Sequence, residues 1–280
     1  MTSGSVRGAR SRVRAKRSLG QNFLVDPNLQ RKIVAALEAT ANDEVIEIGP
    51  GRGALTAHLA GSVRRLVLVE LDDDLARASA EEYAGRRDVE VVHRDVLEID
   101  RAELLDDPGA ALVIGNIPYN ITTPIVFSLL ERPRPRRAVL MVQEEVADRL
   151  VAPVGSKAYG ALTVGVAAVA TVEKLFKVRR GAFRPSPNVD SAVVRITPTV
   201  PEPLRPDAEQ DLRRLVRATF QWRRKQLGKT LRDHPELRTP ADVVALALAT
   251  ADVSPEERPE SLSAQRFIRL AGALATGSSS

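Results

Sequence analysis

The chain contains no cysteine among its 280 residues. It therefore forms no disulfide, offers no thiol nucleophile and builds no zinc site with sulfur ligands, which fits a protein of the reducing cytoplasm. Histidine is rare as well. His58, His93 and His234 are scattered without the spacing of metal ligands, so no metal is expected. No stretch approaches the ~18 uncharged apolar residues that a membrane span needs, so we predict no membrane association.

Acidic residues are fewer than basic ones, 36 against 41, and the net charge of +5 suggests a polyanionic partner. Acids are absent from the first 20 residues. This segment carries six cations: Arg7, Arg10, Arg12, Arg14, Lys16 and Arg17. We therefore expect residues 1–17 to form a basic flexible tail that binds phosphates. Its arginine and serine content also resembles an organellar transit peptide, which is the alternative to a cytoplasmic location.

Apolar runs of strand length alternate with helical patterns in the first half of the chain. The predicted strands are 44–48, 66–70, 89–92, 111–114 and 138–142. This alternation is typical of a parallel α/β sheet with helices packed on it. Two further strands, at 172–178 and 191–196, are expected to form an antiparallel edge of the same sheet.

Prolines mark the end of the predicted sheet, because four of them fall between residues 198 and 206 and indicate a stiff linker. Helical patterns follow at 211–220, 223–231, 241–249 and 264–274. The predicted organisation is a tail over residues 1–17, an α/β domain over 18–200 and a small C-terminal all-helical domain over 207–275. We expect the chain to act as a monomer.

The segment Asn116-Ile117-Pro118-Tyr119 follows the buried run 111–114, at the end of a strand where open parallel sheets place their sites. An amide oxygen and a backbone carbonyl can hold the hydrogens of an exocyclic amine and turn its lone pair toward a methyl donor. Pro118 donates no hydrogen bond, and Tyr119 offers a flat face to an extruded base. The motif indicates methylation of a base amine, although Asn and Pro are also common in ordinary turns.

A glycine loop follows the first predicted strand, and its backbone can pass close under a ligand. Gly49 and Gly51 fit the dinucleotide-binding fingerprint, and Glu70, at the end of the next strand, is the acid expected to bind a ribose. Nicotinamide dinucleotides and S-adenosylmethionine both contain adenosine. These residues therefore leave both cofactors open.

Asp95, just past the third strand, is placed to accept a hydrogen bond from an adenine amine, or it is a turn residue. The glycine loop, Glu70, Asp95 and Asn116 follow four successive strands. This order favours one long adenosine-containing ligand across the strand ends. The motif at Asn116 then selects S-adenosylmethionine, because a hydride-transferring enzyme has no use for groups that hold an amine.

Phe183 lies in a loop pinned by Pro185 and Pro187 and looks exposed. It is predicted to close over the target base from the side opposite Tyr119, since two rigid rings hold a flipped base at little entropic cost. The alternative is that Phe183 is tucked into the core.

Cations are concentrated near the start of the predicted helical domain. They include Arg213, Arg217, Arg223, Arg224, Lys225 and Lys229. Contacts with RNA phosphates are the expected use of such a cluster, and they would position an RNA without reading its sequence. The alternative is a charged helix whose side chains extend over their neighbours.

Together these motifs resemble those of the ribosomal RNA adenine N6,N6-dimethyltransferases of the KsgA type, which act on small-subunit RNA. The resemblance covers about residues 16–275. It rests on Gln21-Asn22-Phe23-Leu24, Glu47-Ile48-Gly49-Pro50-Gly51, Glu70, Asp95, Asn116-Ile117-Pro118-Tyr119-Asn120-Ile121, Gly181-Ala182-Phe183, Val189-Asp190-Ser191-Ala192-Val193-Val194-Arg195 and the basic run 220–227.

The resemblance implies a Rossmann-like S-adenosylmethionine-dependent methyltransferase sheet with a helical RNA-binding domain. It implies cofactor contacts from Gln21, Asn22, Leu24, Gly49, Gly51, Glu70, Asp95 and Asn116. It implies a target-base site of Asn116, Pro118, Tyr119 and Phe183. The expected reaction is dimethylation of two adjacent adenosines near the 3′ end of small-subunit rRNA in a 30S-type particle, with a role in ribosome assembly.

Three other functions stay open from the sequence. Ile117 is usual in the related large-subunit resistance methylases, whereas residues 49–51 and 189–194 look like the small-subunit branch. A non-catalytic RNA-binding assembly or transcription factor could share the fold, and a dehydrogenase could share the glycine loop. The intact Asn116, Tyr119 and Glu70 favour the methyltransferase.

Overall fold

The computed structural model describes residues 13–16 and 20–277. Most of the predicted basic tail lies outside the described residues. The chain divides into two compact units, the first comprising residues up to 147 with 173–198, the second comprising 148–172 with the residues from 199 onward. This division assigns residues 148–172 to the second unit, whereas the prediction placed them in the α/β domain. Within the described residues, no helix is long and apolar enough to cross a membrane.

A seven-stranded mixed sheet forms the centre of the first unit. Its strands are β2 (Glu44–Ile48), β3 (Arg65–Glu70), β4 (Val89–His93), β5 (Leu112–Asn116), β6 (Arg137–Gln143), β7 (Ala170–Val178) and β9 (Ser191–Pro198). Their order across the sheet is β4-β3-β2-β5-β6-β9-β7. The strands β2 to β6 pair in parallel, and β9 pairs antiparallel with β6. The predicted α/β fold class is confirmed.

Six helices accompany this sheet: α1 (Pro27–Leu37), α2 (Thr56–Leu59), α3 (Asp73–Tyr83), α4 (Arg101–Leu104), α5 (Thr122–Leu129) and α6 (Glu144–Leu150). Asp26 caps α1, since its carboxylate accepts from the backbone N–H groups of Asn28 and Leu29. Ile33 and Leu37 on the inner face of α1 are fully buried. The cap and the buried apolar face therefore explain why this segment is helical.

A second sheet has only two short strands, β1 (Phe23–Leu24) and β8 (Phe183–Arg184). They run antiparallel with Leu24 opposite Phe183, and the Val25 N–H donates to the Ala182 carbonyl at 2.9 Å. This pairing fixes the segment before α1 to a loop about 160 positions later in the chain.

The second unit is mainly helical. Its helices are α7 (Ala161–Ala167), α8 (Pro206–Gln221), α9 (Leu227–Asp233), α10 (Ala241–Thr250) and α11 (Ala264–Gly277). Phe220 contacts Tyr159 and Phe267, with ring centroids 6.2 and 5.9 Å apart. Burial raises the pKa of Tyr159 to about 12, and its hydroxyl donates to the Leu262 carbonyl at 2.6 Å. These contacts explain why residues 148–172 belong to this unit.

Gly115 lies where β2 and β5 approach closely in the large sheet. The predicted strand ends at residue 114, but β5 continues through Gly115 to Asn116 because a residue without a side chain fits there. A Cβ atom on Gly115 would lie 2.7 Å from the Ile48 carbonyl oxygen and 2.9 Å from Ile117 Cδ1. Position 115 therefore accommodates only glycine unless Ile48 or Ile117 moves.

We expect Gly115→Ala to lower the free energy of unfolding of the first unit by about 1–3 kcal/mol, because the added methyl overpacks β2 against β5. Thermal and urea denaturation measure the change. Gly85→Ala is the matched control, since a Cβ there meets nothing within 4 Å. Equal stability of the two variants would contradict the close approach.

Candidate active site

An open cleft of about 200 Å³ lies in the first unit, along the carboxyl ends of β2, β3, β4 and β5. Ten of the residues predicted from sequence line it: Gln21, Asn22, Leu24, Gly49, Gly51, Glu70, Asp95, Asn116, Pro118 and Tyr119. The cleft is also lined by Leu71, Arg94 and Val96, which the sequence analysis did not select. The structure thus gathers residues from four strand ends and the segment before α1.

The glycine loop adopts the backbone that its sequence requires. Gly49 and Gly51 have φ of +62° and +54°, a left-handed conformation that favours glycine. A Cβ on Gly51 would lie 3.1 Å from the Phe23 ring, so the loop also packs tightly on β1. The Arg52 guanidinium sits 4.4 Å from the centre of the same ring and donates to the Val13 carbonyl.

Glu70 connects the glycine loop to the start of α3. Its Oε2 accepts from the Gly51 N–H and its Oε1 from the Asp72 N–H, both at 3.0 Å. The side chain is buried, and burial raises the pKa of its carboxyl above the ordinary value. Because each carboxylate oxygen has two acceptor sites, Glu70 retains acceptor capacity for the hydroxyls of a ribose.

Asp72 supports this corner of the cleft, although the sequence analysis did not select it. It caps α3, accepts from Gln21 Nε2 at 3.0 Å and pairs with Lys16 Nζ at 3.0 Å. Burial opposes ionisation of Asp72, but the bonds from Lys16 and Gln21 hold the pKa of its carboxyl below the usual range. Gln21 therefore acts on the site through Asp72, and Lys16 of the predicted phosphate-binding tail is engaged in ion pairs with Asp72 and Asp74.

Asp95 is half-buried at the rim of the cleft and caps a short 3-10 helix, Val96–Glu98. One of its oxygens accepts from the Leu97 N–H at 2.9 Å. Asp95 is therefore a turn residue that caps a short helix. Its second carboxylate oxygen can still accept a hydrogen bond from an adenine amine.

The Asn116 amide has one orientation. Its Nδ2 donates to the Asn22 carbonyl oxygen at 2.8 Å, and only the nitrogen side of an amide can face a carbonyl. The Oδ1 atom consequently points the other way and has no hydrogen-bond partner among residues 13–16 and 20–277. Asn22 therefore presets the Asn116 side chain as an acceptor at the cleft.

Tyr119 is half-buried, and its hydroxyl lies 2.8 Å from Ser191 Oγ at the start of β9. Burial raises the pKa of the Tyr119 hydroxyl above its usual value, so the phenol stays neutral. Ser191 itself is fully buried. The bond fixes the tilt of the Tyr119 ring, and nothing in the sequence around Ser191 signalled this role.

Phe183 differs from its predicted placement. Its side chain has no exposed surface, does not line the cleft, and packs in the hydrophobic core with Leu24, Val178 and Val193. The pairing of β8 with β1 turns the ring inward, so in this conformation Phe183 cannot form the second face of a base-binding sandwich. The observed position is the one that the alternative prediction gave, with Phe183 tucked into the core.

The cations predicted to bind RNA fall into two groups in the second unit. Arg217 pairs with Glu236 at 2.6 Å, and Arg223 pairs with Glu260 at 2.6 Å while donating to two backbone carbonyls. Arg213 is half-buried and also has a partner. In contrast, Arg224, Lys225 and Lys229 are exposed and form no ion pair with any residue that the structure describes. This second group is free to meet phosphates.

The cleft fits an adenosine-containing cofactor by its own geometry. The left-handed glycines expose backbone under the ligand, Glu70 provides acceptors for hydroxyls, and Asp95 provides an acceptor at the next strand end.

Two solved structures share the fold over 91% of this chain. They are a dimethyladenosine transferase from Plasmodium falciparum (27% identical, 98% of that chain, TM-score 0.77) and the 23S rRNA methyltransferase ErmE (29% identical, 100% of that chain, TM-score 0.69). Fold and cleft define a Rossmann-like S-adenosylmethionine-dependent methyltransferase.

Sequence comparison narrows this class. Residues 12–274 match the family described as ribosomal RNA adenine dimethylase. A relative from Lysinibacillus sphaericus, named ribosomal RNA small subunit methyltransferase A, is 40% identical over 265 residues, which cover 92% of this chain and 90% of the relative. The chain belongs to the ribosomal RNA adenine dimethylase family. Its cofactor is therefore S-adenosylmethionine, and the dehydrogenase alternative is wrong.

Acid should weaken cofactor binding through Glu70. Because burial raises the pKa of this carboxyl, we expect S-adenosylmethionine affinity to start falling, as the pH is lowered, above the ordinary glutamate value of 4.5. Glu70→Gln keeps only one of the two backbone bonds, so it should bind about tenfold more weakly at neutral pH and lose that acid dependence. Calorimetry from pH ~8 to ~5 measures both effects. The exposed Glu81→Gln is the control, and a Glu70→Gln variant that keeps the wild-type pH profile would refute the assignment.

Ser191→Ala should reduce kcat/KM for RNA methylation about fivefold, because the Tyr119 ring loses the hydrogen bond that orients it. Tyr119→Phe should give a similar loss, and the double variant should be no worse than either single one. S-adenosylmethionine affinity should remain unchanged in all three. Additive losses in this double-mutant cycle would show that the two side chains act independently.

Proposed function

We propose that this chain transfers two methyl groups to the N6 amine of each of two adjacent adenosines near the 3′ end of small-subunit rRNA. The observation that carries the proposal is the preset Asn116 Oδ1 acceptor beside Tyr119 in the cofactor cleft. The small-subunit name of the Lysinibacillus sphaericus relative supports the choice of RNA. A 30S-type particle in the cytoplasm is the proposed substrate, the enzyme is proposed to act as a monomer, and its proposed role is in ribosome assembly.

Two acceptors at the cleft would hold the target amine. One is Asn116 Oδ1, and the other is the Ile117 carbonyl oxygen, which accepts no hydrogen bond within the described residues. The Pro118 carbonyl is not available, because the Ile121 N–H and the Thr122 hydroxyl both donate to it at 3.2 Å. Holding both hydrogens turns the nitrogen lone pair out of conjugation with the ring.

S-adenosylmethionine supplies a methyl group that is electrophilic because it is bonded to a sulfonium. The amine nitrogen held by Asn116 Oδ1 and the Ile117 carbonyl would accept this methyl carbon as its bond to sulfur breaks, which would leave S-adenosylhomocysteine. The methylated amine would then release one proton to water. A monomethylated amine retains one hydrogen, so a single acceptor suffices for the second transfer. Tyr119 would stack on one face of the extruded base throughout.

The large-subunit alternative is not favoured. Ile117, which suggested it, is fully buried, so its side chain is part of the core and gives no direct contact with RNA. The likeness to ErmE is a likeness of fold and sequence at 29% identity, below the 40% identity to the small-subunit relative. The two RNAs can be separated by experiment.

The test supplies labelled S-adenosylmethionine with either unmethylated 30S-type particles or naked large-subunit RNA, and then maps the modified bases. We expect label on two adjacent adenosines of the small-subunit RNA. Asn116→Ala should lower this activity by about 100- to 1000-fold, as removal of a preorganised polar group does in other enzymes, while Asn42→Ala in an exposed turn should not. Label confined to large-subunit RNA would overturn the proposal, and an active Asn116→Ala variant would overturn the role of the amide.

A further inference from the structure

Three arginines lie on the segment between β7 and β9 in the first unit. Arg179, Arg180 and Arg184 are all exposed, and none forms an ion pair with an acid of the described part of the chain. Neither the motif analysis nor the proposed function assigns them a role. Three positive charges on one short loop favour the binding of an anionic partner.

Nearby acids are already engaged by a different cation. Lys177 Nζ lies 2.8 Å from Glu144 Oε2 and 2.9 Å from Asp190 Oδ2, and Lys174 also pairs with Glu144. The hydrogen bond from Lys177 is the main cause that keeps the pKa of Asp190 low. Asp190 additionally accepts from the Arg180 backbone N–H at 2.9 Å. The Arg180 guanidinium forms no ion pair within the described residues, although its charge is a minor further cause of the low pKa of Asp190.

The loop that carries the arginines is held in one shape. Ser186 Oγ donates to the Arg180 carbonyl at 3.0 Å, and Arg184 Nη1 donates to the Phe183 and Gly181 carbonyls at 2.7 and 3.1 Å. The remaining guanidinium nitrogens of Arg184 have no partner among the described residues. These bonds present the charges on a fixed support and lower the entropic cost of binding.

Hydrogen bonds tie this loop to residues next to the proposed target-base side of the cleft. Arg184 stands opposite Phe23 in the small sheet, and Phe23 directly follows Asn22, whose carbonyl orients Asn116. Ser191, directly after the loop, is bonded to Tyr119. The Arg180 N–H donates to Asp190, the residue before Ser191, so the start of the loop is held beside the same contact.

We propose that Arg179, Arg180 and Arg184 bind backbone phosphates of the nucleotides on either side of the target adenosine. This inference rests on the proposed function, because extrusion of a base leaves its neighbouring phosphates at the mouth of the site. Such contacts fix the register of the RNA and carry no sequence information. They also place the second adenosine of an adjacent pair within reach after a shift of one nucleotide.

The test compares two double variants of equal charge. Arg179→Gln with Arg180→Gln removes two loop cations. Arg77→Gln with Arg87→Gln removes two exposed cations elsewhere in the first unit, which form no ion pair within the described residues. Each double variant lowers the net charge from +5 to +3. Arg184 is left intact, because its bonds to two carbonyls support the loop.

The probe is a fluorescein-labelled RNA hairpin with two adjacent adenosines in its single-stranded loop, and its binding is followed by fluorescence anisotropy at several salt concentrations. We expect the loop variant to bind about tenfold more weakly than the control variant near 50 mM salt and its log–log salt slope to be shallower by about 1.4, since each single-strand phosphate contact contributes ~0.7. S-adenosylmethionine affinity and melting temperature should equal those of the wild type.

Equal affinities and slopes for the two double variants would overturn the proposal, as would a loop variant whose weaker RNA binding is accompanied by a lower melting temperature. The hairpin assay also separates this inference from the proposed function. If wild-type protein binds the hairpin with the predicted arginine dependence but labels no small-subunit RNA, only the proposed function fails. If it labels the expected adenosines while the loop variant binds like the control, only the phosphate contacts fail.

Discussion

The hydrogen bond between Asn116 Nδ2 and the Asn22 carbonyl is the constraint on which the active site depends. It joins the end of β5 to the segment before α1, and it decides which side of the amide remains available to a substrate. The Asn22 carbonyl is in place because the adjacent Phe23–Leu24 pairs with β8. The Asn116 side-chain oxygen is thus oriented by a two-stranded sheet whose second strand comes from a distant part of the chain.

The cofactor side of the cleft shows a different physical solution. Burial raises the pKa of the Glu70 carboxyl. The Glu70 carboxylate nevertheless joins the glycine loop to the start of α3, because it accepts a hydrogen bond from a backbone N–H of each. Asp72, next to it, is kept ionised by Lys16 and Gln21. Burial acts in the same direction on both carboxyls, but the hydrogen bonds from Lys16 and Gln21 outweigh it at Asp72, whereas the backbone hydrogen bonds to Glu70 do not.

The sequence predicted the features that depend on local patterns. Apolar runs predicted the seven long strands, and the positions of the strand ends predicted which residues would line one cleft. What local pattern could not predict were pairings between distant segments. The inward turn of Phe183 follows from its partner Leu24, the orientation of Tyr119 follows from Ser191, and the pairing of Arg217 and Arg223 follows from acids that are 19 and 37 positions away.

Lys177 has a consequence for how the surface around the cleft can change during evolution. It occupies Glu144 and Asp190 at once, so loss of this single lysine would release two carboxylates beside three arginines. These carboxylates would then offset at most two of the three arginine charges, so the positive charge of this surface would fall although every arginine remained in the sequence. Counting basic residues in related chains would therefore overestimate their attraction for nucleic acid wherever this lysine is replaced.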